Sequence, residues 1–138
     1  MTTKAMILAS GHGKRMMPLT RDIPKPMLKI GGITLVEDKI LRLAESGITD
    51  IIINVGNLGN QIINHVGDGS KYGIKISISD EGDSPIGTGN GIRKIIDDFH
   101  GQSFIVVNAD IWTNYLFIDL KKKLSADTLA HIILVNNP

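Results

Sequence analysis

The chain contains no cysteine. A disulfide framework and a thiolate metal site are therefore both excluded. Aromatic residues make up 4% of the sequence, against 42% hydrophobic overall. The core must be built from Ile, Leu and Val. No apolar stretch approaches the ~20 residues that a membrane-spanning helix needs, and the N-terminus carries no signal-peptide core. The expected location is cytoplasmic. A net charge of +1 gives no reason to expect nucleic acid or a membrane surface as partner. Repeats, low-complexity tracts and linkers are also missing. The 138 residues read as one domain, 1–138, long enough to bury a core.

What is present alternates between two periods. The apolar run Ala5 to Ala9 reads as a buried strand, and 27–30 as a short extended piece closed by Gly31-Gly32. Thr34 and Glu37 have the spacing of a capping box, and Val36, Ile40, Leu43 and Ala44 form one helical stripe ending near Gly47. Asp50 to Val55 is a continuous apolar strand suited to a sheet covered on both faces. Leu58, Ile62 and Val66 mark a short helix, and Ile74, Ile76 and Ile78 alternate like a strand nearer an edge. Ile92, Ile95, Ile96 and Phe99 predict a third helix, and Phe104 to Asn108 another buried strand. Leu116, Leu120 and Leu124 predict a last helix, and Leu129 to Val135 a last strand. This alternation is that of an α/β, Rossmann-like, doubly wound and mostly parallel sheet. In such sheets ligands bind beyond the carboxyl ends of the strands.

One stretch has no period. Ser10 to Lys29 follows the first strand and holds five basic residues, Lys14, Arg15, Arg21, Lys25 and Lys29, against the single acid Asp22. Its formal charge is +4 and the whole chain is +1, so the remainder carries −3. Structureless loops beyond roughly 12–15 residues are uncommon in compact domains and are usually functional or disordered. Gly11 and Gly13 let backbone N–H groups approach an anion, Arg15 offers a planar fork, and Lys25 is confined between Pro24 and Pro26. A solvated basic loop with turn glycines is the plainer alternative. The placement after a strand favours a polyphosphate site. Two familiar phosphate motifs do not fit. The P-loop spacing is absent, and a dinucleotide fingerprint needs a glycine where Met16 stands and an acid where the second strand ends near Asn54. A nicotinamide oxidoreductase is disfavoured.

Two further pieces fall at strand ends. Asp110, after Asn108-Ala109, is either a ligand for Mg²⁺ facing a polyphosphate or the cap of the next turn. Gly87-Thr88-Gly89, before the third helix, is either a surface for a flat base or a turn with an N-cap. Glu81 and Asp83 read as a solvated acidic loop. His12 lies in the basic loop, while His65, His100 and His131 lack metal-ligand spacing and read as structural.

Leu8-Ala9-Ser10-Gly11-His12-Gly13-Lys14-Arg15-Met16, then Pro18-Leu19-Thr20, then Pro24-Lys25-Pro26-Met27-Leu28, resembles the signature of the sugar-phosphate nucleotidyltransferases, the nucleotide-sugar pyrophosphorylases. The family start is Leu-Ala-Ala-Gly-x-Gly-x-Arg-Met, with small Ser10 here in the third place. The resemblance implies the nucleotide-diphospho-sugar transferase fold and transfer of a nucleotidyl group from a nucleoside triphosphate to a sugar-1-phosphate, with Mg²⁺ as cofactor. Arg15, Lys25 and Asp110 fall on the catalytic positions, Asp110 as the metal ligand. Ala9, Gly11, Gly13 and Asn54 are expected to bind substrate. Gly87, Thr88, Asn108 and Trp112 are expected to do the same. Segments such as Leu58 to Ile62, Gly67 to Ser70, Asp110 to Tyr115 and Leu134 to Pro138 resemble the uridylyltransferase branch of bacterial cell-wall recycling. That branch implies UTP and N-acetylmuramate-1-phosphate. The chain departs from it at Gly87, where Glu is frequent, and at Asn57, where an aromatic is. The same motifs also fit GTP with mannose-1-phosphate, or dTTP with glucose-1-phosphate. Family members continue past Pro138, so the expected chain is a C-terminally truncated form, with or without activity, and a monomer or homodimer.

Overall fold

The computed structural model describes residues 4–84, 86–122, 125 and 127–136. Four parallel strands form the central sheet: β1 (Lys4–Leu8), β4 (Asp50–Val55), β5 (Lys75–Asp80) and β6 (Ile105–Asn108), in the order β5-β4-β1-β6. A small antiparallel hairpin, β2 (Lys29–Ile30) and β3 (Ile33–Thr34), turns at Gly31-Gly32. Three helices connect the strands: α1 (Leu35–Glu45), α2 (Gly59–Val66) and α3 (Thr88–Ile95).

Both faces of the sheet are covered. One carries Ile7, Ile51, Ile53, Val36, Ile40, Leu43, Ile62 and Val66, from β1, β4, α1 and α2. The other carries Met6, Ile52, Ile95 and Phe99, with α3 and the 3₁₀ turn after it. The chain steps from β1 to β4 to β5 with helices on the first face, then returns across the sheet to β6 with α3 on the second. Reversing direction and face together keeps one handedness of crossover, as expected of parallel strands. The reversal falls between β1 and β6. The expected doubly wound α/β architecture is thus observed.

Helix α1 begins where its capping spacing predicts. The Thr34 Oγ1 accepts the Glu37 N–H at 3.2 Å. The Glu37 carboxylate does not return to Thr34. It accepts from the Tyr72 hydroxyl at 3.2 Å and lies 3.4 Å from His65 Nε2. On the same helix Asp38 accepts from Lys39 Nζ and, at 3.0 Å, from Arg42 Nε. The Lys39 side chain is fully buried and takes its countercharge from Asp38.

Three elements differ from the sequence expectation. The third helix starts at Thr88, four residues before its first periodic residue Ile92, and gives way at Ile96–Phe99 to a 3₁₀ turn. The first turn has no apolar side chain to mark it. The expected helix on Leu116, Leu120 and Leu124 is instead a 3₁₀ segment, Phe117–Lys122. Phe117 is buried in the core and Leu116 faces solvent, while Leu120 packs against the core as expected; Leu124 lies outside the described residues. The strand expected at 129–135 does not form. Leu129, Leu134 and Val135 are exposed, because an apolar pattern supplies a face but not a ladder partner.

Burial works against the charged form of Asp38, but hydrogen bonds and attraction from Lys39 and Arg42 outweigh it and hold its carboxyl below the ordinary aspartate value. A lowered value in the folded state stabilises the fold above the unfolded value, and that contribution is lost as pH falls through the folded one. Urea unfolding between about pH 5 and pH 2 checks this: Asp38→Asn is expected to lower stability at neutral pH and to flatten the acid-side loss.

Candidate active site

Strand β1 lies between two parallel neighbours, and its register aligns Leu8 with Asn54 on one side and Asn108 on the other. Strands β1 and β6 therefore stop at one level, and β4 one residue beyond it. The loops leaving β1, β5 and β6 turn over that level and enclose a cleft of about 590 Å³. The residues around it include Ala9, Gly11, Gly13, Arg15, Lys25, Asn54, Gly87, Thr88, Asn108 and Asp110. It opens at the topological switch point, where doubly wound sheets take their ligands.

The basic loop is ordered by its own short turns. Gly13 adopts a left-handed backbone (φ 62°) and opens a 3₁₀ turn at Lys14–Met16. Its carbonyl accepts from the Met16 N–H at 3.0 Å and from the hydroxyl of buried Thr20 at 2.8 Å. The Met17–Pro18 peptide is cis. A second turn, Lys25–Met27, is set by Pro24 and Pro26, and Leu28 N–H donates to the Lys25 carbonyl at 3.1 Å. Helix α2 braces the loop from behind: Gln61 Nε2 donates to the Asp22 carbonyl at 2.8 Å.

These turns aim Lys25 across the cleft. Its ammonium donates to Asp110 Oδ2 at 2.7 Å, 85 residues away in sequence. A cation thus already stands against the Asp110 carboxylate, which keeps 39% of its side chain exposed. Among the described residues, no group of three or more His, Cys, Asp or Glu side chains gathers to hold a metal. A lone carboxylate still fits Mg²⁺, which usually takes one or two carboxylates, substrate phosphates and waters.

The placement of the expected residues is uneven. Arg15, Lys25, Asp110, Ala9, Gly11, Gly13, Gly87, Thr88 and Asn108 come together around the cleft. Thr88 is the first helical residue of α3 and makes no side-chain cap. Asn54 lies at the cleft floor, but it is buried and its amide is engaged by Ala9, Ser10 and Glu81. Its hydrogen bonds tie the walls of the cleft together. Trp112 does not line the cleft and is 60% exposed, because the chain turns outward after Asp110. Glu81, expected to be solvated, is bound beneath the cleft. Its signal was an acid immediately after a strand that ends beside Val55, the neighbour of Asn54.

A second groove, of about 450 Å³, lies on the α3 face of β4 and β5. It gathers charges of both signs, with Lys4 Nζ 3.9 Å from Asp50 and hydrogen-bonded to the Asp98 carbonyl. None of the switch-point loops reaches it.

The architecture is a Rossmann-like sheet with a basic loop at its switch point. The chain belongs to the nucleotidyl transferase family, whose pattern it matches over residues 4–136. It is 42% identical to the N-acetylmuramate alpha-1-phosphate uridylyltransferase of Neisseria meningitidis, over 98% of this chain and 60% of that protein. It is 29% identical to a mannose-1-phosphate guanylyltransferase of Mycobacterium tuberculosis, over 97% of this chain and 38% of that one. Among solved structures, HddC from Yersinia pseudotuberculosis complexed with GMP-PN superposes with a TM-score of 0.78 at 28% identity, over 91% of this chain and 55% of that one. The chain therefore spans less than two thirds of the length of these relatives.

A Cβ on Gly13 would stand 3.1 Å from Thr20 Cγ2 and 3.3 Å from Lys25 Cβ, on a backbone that side chains disfavour. Gly13→Ala is expected to cost about 1 kcal/mol or more of stability. Thermal unfolding checks it, with Gly11→Ala as the control, since a Cβ there meets nothing within 4 Å.

Proposed function

We propose that this chain binds a nucleoside triphosphate and a sugar-1-phosphate in the switch-point cleft, as part of an enzyme that joins them with release of pyrophosphate. The observation that supports this most is the convergence on one cleft of Arg15 and Lys25, from the loop after β1, and Asp110, from the end of β6. In the reaction an oxygen of the sugar phosphate attacks the α-phosphorus, and the bond to the pyrophosphate oxygen breaks in line. Such chemistry depends on positioning and charge stabilisation more than on covalent help.

The roles follow from the side chains. Arg15 holds the β and γ phosphates with its planar fork and stabilises the departing pyrophosphate. Lys25 leaves Asp110 and neutralises charge between the α-phosphate and the sugar phosphate. The freed Asp110 is the residue to hold Mg²⁺, which when bound supplies further charge neutralisation on the phosphates. Gly11 and Gly13 offer backbone N–H groups to phosphate oxygens, and Gly87 and Thr88 face the base. Ala9 and Asn108 complete the floor at the ends of β1 and β6.

For the substrates we favour UTP and N-acetylmuramate-1-phosphate, on the 42% identity to the uridylyltransferase. This would place the protein in peptidoglycan recycling and in the cytoplasm, where nucleoside triphosphates are found, as a monomer or homodimer. Among the described residues, no helix is long and apolar enough to cross a membrane. A second reading, GTP with mannose-1-phosphate, draws on the guanylyltransferase relative and on the structure complexed with GMP-PN.

Calorimetric titration of the chain with UTP, GTP, CTP and dTTP, each with Mg²⁺, separates these readings. UTP is expected to bind tightest, and Arg15→Ala to weaken it about tenfold or more with the unfolding midpoint unchanged. Tightest binding of GTP would select the second reading. Absence of binding by all four, or equal binding by the variant, would overturn the proposal.

A further inference from the structure

Beneath the cleft the ends of three elements are tied through one side chain. Asn54 is the penultimate residue of β4 and is 1% exposed. Its Oδ1 accepts the Ala9 N–H at 2.8 Å, where the β1 ladder stops. Its Nδ2 donates to Ser10 Oγ at 3.2 Å and to Glu81 Oε1 at 2.7 Å. The other Glu81 oxygen accepts the Ile86 N–H at 3.4 Å, at the far end of the loop that carries Gly87 and Thr88. Helix α3 presses on this cluster from one side. A Cβ on Gly91 would stand 2.8 Å from Glu81 Oε1 and 3.1 Å from Asn54 Nδ2.

An acid is a poor contact for a triphosphate, and this one is turned toward an amide and a backbone N–H. Asparagine suits the junction because one planar group presents an acceptor and two donors. A buried backbone N–H at a strand end must be satisfied by something, and here the partner also grips the loop opposite.

We propose that Asn54 and Glu81 are positioning residues that hold the phosphate loop and the 81–87 loop in register. The two halves of a nucleotide are then bound as one ligand instead of two. This rests on the reading of the cleft as a nucleotide site. It predicts that disturbing the pair removes the advantage a nucleoside adds while leaving the phosphate half alone.

Asn54→Asp is the first test. The introduced carboxylate still accepts the Ala9 N–H, but it faces the Glu81 carboxylate where an amide had donated. UTP affinity is expected to fall about tenfold or more, since a hydrogen bond to a charged group is replaced by repulsion. Inorganic tripolyphosphate, titrated in parallel, is expected to bind as before. Adding Glu81→Gln restores the contact with its direction reversed, the introduced amide donating to the introduced carboxylate. UTP affinity is expected to recover in the double variant. Glu81→Ala, which creates no repulsion, covers the case in which Asn54→Asp does not fold, and is expected to show the same selective loss. Unchanged UTP affinity in the single variants would overturn the inference. So would a double variant no better than Asn54→Asp, or tripolyphosphate binding that falls in step with UTP. A native chain that binds UTP no better than tripolyphosphate would overturn the nucleotide reading itself, and the inference with it.

Discussion

The alignment of Leu8 with Asn54 and Asn108 is the constraint on which the cleft depends. Strand β1 has a parallel partner on each edge, so its end is fixed from both sides. A slip of one residue would turn every side chain of the strand to the opposite face. Met6 would leave the face it shares with Ile52, Ile95 and Phe99, and Ile7 the core beneath α1 and α2. The same slip would separate Ala9 from Asn54 and Asp110 from Lys25. Core packing and site geometry are thus enforced by one register.

The basic loop is long but not loose. Two short turns, a buried threonine and a glutamine from α2 fix its path before any ligand arrives. Ordering a loop at the moment of binding detracts from affinity, and a loop already folded avoids much of that cost. The two prolines around Lys25 act in the same direction. Lys25 can exchange partners by moving a flexible side chain while its backbone stays in place.

Much of this was legible from residue types. The apolar runs of β1 and β4 announced buried parallel strands, and Thr34 announced the start of α1; the run at 104–108 gave a parallel strand too, but one on the sheet edge with Val106 and Asn108 exposed. The charge and the glycine and proline content of Ser10 to Lys29 marked that loop as a candidate anion site, but not the short turns that order it. What could not be read depends on partners distant in the chain. Whether residues 129–135 form a strand is decided by the presence of a neighbour, which periodicity does not encode. Helix α3 begins with Thr88, Gly89, Asn90 and Gly91, residues that carry no stripe, so its start was invisible. Glu81 looked like one acid in an exposed loop. Its role became apparent only when the fold set it 2.7 Å from an amide 27 residues earlier. Trp112 was expected in the pocket from the family resemblance, yet it does not line the cleft and is exposed.

The ion pair between Lys25 and Asp110 means that the cleft is not a bare positive field. Two of its formal charges already cancel at 2.7 Å. A ligand entering here exchanges counter-ions more than it adds them. Of the loop's basic residues, long-range attraction of an anion then rests on Lys14, Arg15, Arg21 and Lys29. Its sensitivity to ionic strength should be shallower than a count of the loop's basic residues implies.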